Sequence, residues 1–197
     1  MEIFAIFPII IVVGIIVVIV LLSKADFTIE SGKRRAGRRG EVIVSNAIRS
    51  ILSDEDILLT NIGISFKGKT AELDNVIINK YGVFIIEVKN YKGRIYGEED
   101  DYEWEKYKDD GYGNVFKKNV KNPIRQVKRQ IYILAKYLDY NGEKVWINGY
   151  AFLVNGNSPI QSKYILSSVE AIERVIHTTG KNELTKKQVE NIAKILQ

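Results

Sequence analysis

The sequence predicts an α/β protein, a mixed sheet flanked by helices and preceded by one N-terminal transmembrane helix. Three observations carry that reading. The run FAIFPIIIVVGIIVVIVLL, Phe4 to Leu22, holds no charge. Several short stretches of strand character then lie between two amphipathic helical stretches. A further strand and two capped helices complete the chain, an order of elements that suits helices packed on a sheet.

The first run is about 20 residues long, which at 1.5 Å per residue spans the roughly 30 Å hydrocarbon core of a bilayer. Pro8 falls near its start, where it costs a helix least, and Gly14 is tolerated in lipid. A cleaved signal peptide would have a basic n-region and a shorter apolar stretch. Here the n-region carries Glu2 and no positive charge, so residues 1–23 are read as an uncleaved anchor. Residues 24–35 form a basic juxtamembrane tether. The cluster Lys33, Arg34, Arg35, Arg38 and Arg39 places the following domain on the cytoplasmic side and lies where anionic headgroups attract it. The expected location is therefore the membrane, single-pass, with residues 36–197 forming a cytoplasmic domain.

Helical spacing runs from about Ala36 to Leu52, with Val44, Ala47, Ile48 and Ile51 on one face and Glu41 on that same face. Gly37 and Gly40 allow this helix to approach another part of the chain closely. Ile57–Ile64 and Ala71–Asn79 read as strands. Lys80-Tyr81-Gly82 turns the chain into Val83–Lys89, giving an antiparallel hairpin. Gly93–Gly97 is a short fourth strand. The charged, aromatic residues 98–120 hold the turn signal Asp109-Asp110-Gly111-Tyr112-Gly113, predicting an exposed hairpin. Asn122-Pro123 opens a helix with Ile124, Val127, Ile131, Leu134, Ala135 and Leu138 on one stripe. Val145–Val154 is a strand, Ser167 with Glu170 caps a helix reaching about His177, and Thr185 with Gln188 caps the last helix.

Composition excludes several chemistries. The 197 residues contain no cysteine and one histidine, His177, so disulfides, thiolate metal sites, cysteine nucleophiles and paired-histidine sites are all absent. The net charge of +5 is unevenly placed. Six of the 29 Lys and Arg precede residue 40, against three of the 24 Asp and Glu, which leaves 23 basic and 21 acidic residues from Gly40 onward.

The chemistry lies where carboxylates interrupt apolar strands. Asp74 is flanked by Leu73 and Val76-Ile77-Ile78, and Glu87 sits within Val83-Phe84-Ile85-Ile86-Glu87-Val88-Lys89. Alternation puts Glu87 and Lys89 on one face, with Phe84, Ile86 and Val88 on the other. Buried carboxylates persist only when paired, hydrogen-bonded or metal-bound. Glu41, Asp74 and Glu87 together, without His or Cys, suit Mg²⁺ or Mn²⁺. Such a cation polarises a phosphoryl oxygen and acidifies water, and Lys89 could stabilise the charge that develops on the phosphate. Glu87 and Lys89 as a plain ion pair, Glu41 as a helix N-terminal acid and Asn122 as a helix cap are the structural alternatives. Trp104, Tyr107, Tyr112 and Phe116 either stack bases or pack their own hairpin.

An Asp, a hairpin turn and Glu-x-Lys on the next strand form the pattern of the PD-(D/E)xK nuclease superfamily. Within it, the chain resembles the nuclease-related domain family. The matching pieces are Gly40-Glu41, Glu72-Leu73-Asp74, GVFIIEVKN from Gly82 to Asn90, and Asn122-Pro123-x-x-Gln126. The resemblance covers roughly residues 36–140, with Leu73-Asp74 where the superfamily name has Pro-Asp. It implies a restriction-endonuclease-like fold, a role on DNA, and a site of Glu41, Asp74, Glu87, Lys89 and Gln126. Two functions are then expected to compete: a membrane-anchored, metal-dependent nuclease-like protein hydrolysing phosphodiesters in DNA, and a catalytically inactive scaffold binding nucleic acid or protein at the membrane. The intact Glu41, Asp74, Glu87 and Lys89 set favours the first; the nearly balanced charge after residue 40 favours the second, because strong DNA binders neutralise many phosphates.

Overall fold

The structure is a computed structural model that describes Arg35 and residues 37–156, 158–178 and 183–197. The proposed anchor and most of the basic tether lie outside the described residues. Among the described residues no helix is long and apolar enough to cross a membrane.

The first helix, α1, covers 37–49. Eight strands and three more helices follow: β1 (Ile57–Phe66), β2 (Lys69–Asn79), β3 (Gly82–Lys89), β4 (Arg94–Tyr96), β5 (Glu103–Asp109), β6 (Val115–Lys121), α2 (Pro123–Tyr140), β7 (Ile147–Leu153), β8 (Ile165–Leu166), α3 (Val169–Ile176) and α4 (Lys186–Leu196). Five strands form the central sheet in the order β1-β2-β3-β7-β8, and β4-β5-β6 form a second, three-stranded sheet. The β1–β2 and β2–β3 pairs are antiparallel, and the β3–β7 and β7–β8 pairs are parallel. The central sheet is therefore mixed and flanked by helices, as expected.

Both faces of β3 are covered, which is why it reads as a nearly unbroken apolar run. Val83 and Ile85, with Val76 and Ile78 of β2, pack against Ile133, Leu134 and Leu138 of α2 and Val189 and Ile192 of α4. Phe84, Ile86 and Val88, with Ile77, pack against Val44 and Ile48 of α1 and Ile172 and Ile176 of α3. Gly149 on β7 lets α2 lie close to the sheet, since a Cβ there would come within 2.7 Å of Val127 and 2.9 Å of Ile131. Replacing it would push the helix off the strand. Trp104, Ile95 and Ile124 form a third, smaller core that attaches the second sheet.

Several expectations shift in detail. β1 and β2 extend to meet in a two-residue turn at Lys67 (φ 47°) and Gly68 (φ 76°), left-handed angles that match the twist of a tight hairpin. The α3 cap is Ser168 rather than Ser167; its side chain accepts from the Ala171 amide. The short β8 was not expected, because two residues show no periodicity. Asn122 and Thr185 cap α2 and α4, the latter in a reciprocal box with Gln188. Trp104 is fully buried, so it packs its own sheet and cannot stack a base, whereas Tyr112 and Phe116 are exposed.

Candidate active site

Asp74 and Glu87 sit where two ladders are interrupted together. β2 and β3 pair from Asn79↔Gly82 to Asn75↔Ile86 and no further, so Asp74 and Glu87 are the next opposed positions, just past the last pair. On the other side, the β1–β2 ladder passes from Thr60↔Asn75 to Ile62↔Leu73 and skips Asn61 and Asp74. Asn61 is left-handed there (φ 55°), a conformation asparagine tolerates better than most residues. With backbone pairing suspended, the Val88 amide donates to Asp74 Oδ2 at 2.8 Å. The carboxylate thus stands in for a strand partner.

Glu87 is the centre of the cluster and is 2 % exposed. Its Oε1 accepts from Lys89 Nζ at 2.5 Å and from Gln126 Nε2 at 2.6 Å, and its Oε2 accepts from Gln130 Nε2 at 2.6 Å. Gln130 Nε2 also donates to the Glu72 carbonyl at 2.8 Å, while Gln130 Oε1 is buried without a protein partner. The two acceptors settle the amide's orientation, because turning it would point an oxygen at the carboxylate. Helix α2 supplies both glutamines one turn apart, since residues i and i+4 share a face.

The electrostatics follow from this crowding. Burial and the neighbouring Glu87 charge push Asp74 up to about 7, with a small further contribution from Glu41, outweighing the Val88 hydrogen bond and Lys89. Burial alone would lower the Lys89 pKa, but the charge and hydrogen bond of Glu87 hold it above its ordinary value, so the ammonium stays charged. Its side chain keeps 20 % exposure and reaches the surface of the site.

Four of the five expected residues therefore come together: Asp74, Glu87, Lys89 and Gln126. Glu41 is half-buried at the start of α1, the helix that covers the sheet face opposite the α2 glutamines. Two contacts set that helix beside Asp74. Ser45 Oγ donates to Asn75 Oδ1 at 2.6 Å, and Gly40 lies where a Cβ would come within 3.1 Å of Asn90. Among the described residues no group of three acidic or histidine side chains lies close enough to hold a metal ion. The donor set fits a hard cation through two carboxylates, Asp74 and Glu87. Their mutual repulsion, expressed in the raised Asp74, is what a divalent cation relieves.

Gln130, Ser45 and Asn75 escape a reading of the sequence alone. Gln130 had one usable signal, a polar residue within the apolar stripe of Val127, Ile131 and Leu134. Asn75 is fully buried beside Asp74, yet in sequence it looks like a polar residue near a strand end.

Comparison with known proteins identifies the family. The model of the nuclease-related domain (NERD) family matches residues 36–154, a span that includes every residue of the cluster. An uncharacterized protein of Bacillus anthracis is 31% identical over 90 residues, which are 44% of this chain and 42% of that protein. The chain thus spans less than half the length of the curated relative it matches. No solved structure matches significantly. With more than half of its length matched, the chain belongs to the nuclease-related domain family, a branch of the PD-(D/E)xK superfamily.

Proposed function

We propose that this protein is a membrane-anchored, divalent-metal-dependent nuclease that hydrolyses phosphodiester bonds in DNA on a restriction-endonuclease-like fold. The observation that carries the reading is the buried Glu87, held by Lys89, Gln126 and Gln130 and opposed by Asp74 where the strands part. A purely structural carboxylate needs one cation beside it. This one is also set against a second carboxyl that burial and repulsion raise to about 7.

Each residue has a defined task. Gln126 and Gln130 lock the Glu87 side chain in one rotamer, so its charge is aimed before substrate arrives. Lys89, cationic and partly exposed, faces the negative charge that grows on the scissile phosphate. Asp74 and Glu87 would hold Mg²⁺ or Mn²⁺, and the cation would supply Lewis acidity and an acidified water. Glu41, on α1, tunes the site through its charge on Asp74. The uncharged Phe4–Leu22 run and the basic Lys33–Arg39 segment support tethering of the domain to the cytoplasmic face of a membrane.

One observation favours a second reading, a catalytically silent nucleic-acid-binding scaffold. Three donors already occupy the Glu87 oxygens, and no third acid joins the pair among the described residues. Incubating the full-length chain with labelled single- and double-stranded DNA and RNA, in Mg²⁺, Mn²⁺ or chelator, separates the two. Cation-dependent cleavage that disappears in Glu87→Gln supports the nuclease; binding without cleavage under every condition supports the scaffold.

A further inference from the structure

We propose that the inner face of the β5–β6 ribbon is a nucleic-acid-binding surface that leads a strand toward the Glu87 site. The inference rests on the nucleic-acid reading above and adds where the substrate lies.

The ribbon's charges are sorted by face. In register, Trp104 opposes Val120, Lys106 opposes Lys118 and Lys108 opposes Phe116, and these three pairs share one face. The first pair is anchored in the small core with Ile95 and Ile124. Beyond it, the face presents Lys108, Lys118 and Phe116 outward, with Lys106 half-buried beside them and no acid from either strand. Phe116 is 59% exposed, and Lys108 and Lys118 are exposed as well. Every acid of β5, namely Glu103, Glu105 and Asp109, lies on the opposite face. There Lys117 bonds Glu105 at 2.5 Å and Asn119 bonds Glu103 at 3.1 Å, so that face is largely self-neutralised. Lys108 and Lys118 carry their charges on the exposed part of this face, where the phosphates of a polyanion laid along it would pair with them.

Position supports the same partner. The second sheet is inserted in the chain between Lys89 and Gln126, and β6 ends at Lys121, five residues before Gln126, which bonds Glu87. Its base is tied down. Tyr91 Oη donates to the Lys121 carbonyl at 3.1 Å, and Asn122 Nδ2 donates to the carbonyls of Glu99 and Asp101 at 3.0 and 2.8 Å. At about 3.3 Å per residue the strands carry Lys118 roughly 10 Å and Lys108 roughly 17 Å out from that base. Lysines pairing with phosphates and an exposed ring stacking a base are the two elements by which single strands are held. The ribbon also accounts for binding by a domain of nearly balanced charge: a local face suffices where the net charge does not.

The test compares binding of a labelled single-stranded oligonucleotide, in chelator, by the full-length chain and three variants. K108Q/K118Q is expected to weaken binding by at least tenfold and to flatten the log Kd against log salt slope by about 1.4, at roughly 0.7 per phosphate contact. F116A is expected to weaken binding about 5- to 100-fold with the slope unchanged. K117Q, which removes a charge from the other face, is expected to leave binding within about twofold. Thermal melts matching the parent chain establish that the variants are folded. If K108Q/K118Q binds like the parent, or if K117Q weakens binding as much, the surface is wrong although the nuclease reading stands. Anionic-vesicle binding lost in K108Q/K118Q with oligonucleotide binding intact assigns the face to lipid and overturns the proposal. If the parent chain binds and cleaves no nucleic acid, the functional reading fails and takes this inference with it.

Discussion

The two ends of the β2–β3 hairpin each bury an aspartate near it, and the two acids behave in opposite ways. At the turn end, the Asp56 side chain is 3 % exposed and meets His177 Nε2 at 2.9 Å. Burial would raise its pKa, but hydrogen bonds from His177, from the amide and hydroxyl of Ser53, and from Asn79 outweigh it, and the value falls below the ordinary range. At the open end, Asp74 has one amide donor and a like-charged neighbour, and its pKa rises to about 7. Burial raises both acids, Asp74 the more, and the outcomes diverge because Asp56 gathers several hydrogen-bond donors while Asp74 has one and a like-charged neighbour. The Asp56 end is arranged for the folded state, whereas the Asp74 end keeps a conflict that a proton relieves and that a bound cation would relieve too. Conflicts of this kind collect at functional sites.

Substitution at Glu87 tests that contrast most severely. Glu87→Gln is expected to remove nuclease activity, by at least about 10³-fold, since an amide replaces the anionic centre of the cluster. Its stability should move by only about 1 kcal/mol. Relief of the Asp74–Glu87 repulsion offsets the lost pairing of Lys89, whose ammonium can turn toward water. A loss of 3–5 kcal/mol, as for a broken buried ion pair, together with no Mg²⁺ dependence of the parent melting curve, would make the Glu87 end as structural as the Asp56 end. Lys89→Ala is expected to slow cleavage by about 10²–10³ while leaving divalent-cation binding intact. Calorimetric titration alongside single-turnover rates checks both halves of that statement.

Asp56→Ala should do the reverse. It leaves His177 and both Ser53 donors without their acceptor, at a cost of about 2–3 kcal/mol in urea melts. Activity per folded molecule should be unchanged. A smaller effect sharpens the comparison through pH. In chelator, the folded chain binds the Asp74 proton more tightly than the unfolded chain does, so stability falls as pH rises from about 4 toward 7. The slope cannot exceed about 1.4 kcal/mol per pH unit for one group. Asp74→Asn should remove it. Asp56 contributes the opposite limb, because its stabilisation is present above its unfolded value of 3.8 and is lost as pH falls through its lowered folded value. Parallel melts of both variants from pH 3 to 7.5 read the two limbs separately, and a parent curve flat between pH 4 and 7 would deny the raised Asp74.

Gln130 shows where the sequence stops. A glutamine in an apolar stripe signals that something buried needs it, but only the packing of α2 over β3 names Glu87 as the partner. Gln126 was legible only through the family resemblance, in the piece Asn122-Pro123-x-x-Gln126; helix spacing alone left it equally a surface amide. Its bond to Glu87 still required the helix to cross the strand at that height. Glu41 illustrates the converse. Its spacing to Val44 and Ile48 predicted a carboxylate within reach of Asp74 and Glu87. It is half-buried on α1 and no third acid joins that pair among the described residues, because side-chain reach decides the matter and spacing carries no distances.

By itself the sequence determined the local elements and the residue inventory: the hairpin over Ala71–Lys89, the capped helices, the exposed ribbon, and carboxylates in apolar strands with no cysteine and no paired histidine. Those properties depend on periods of 2 and 3.6 residues, on caps and turns, and on residue inventory, all of them short-range. Tertiary structure alone decided that both faces of β3 are buried, that its ladder with β2 ends between Asn75 and Asp74, and that Glu87 takes three donors while Asp74 takes one. These depend on which elements pack together and at what depth. The energy of a buried charge depends on partners brought from residues 39 and 43 positions away, which no local pattern encodes.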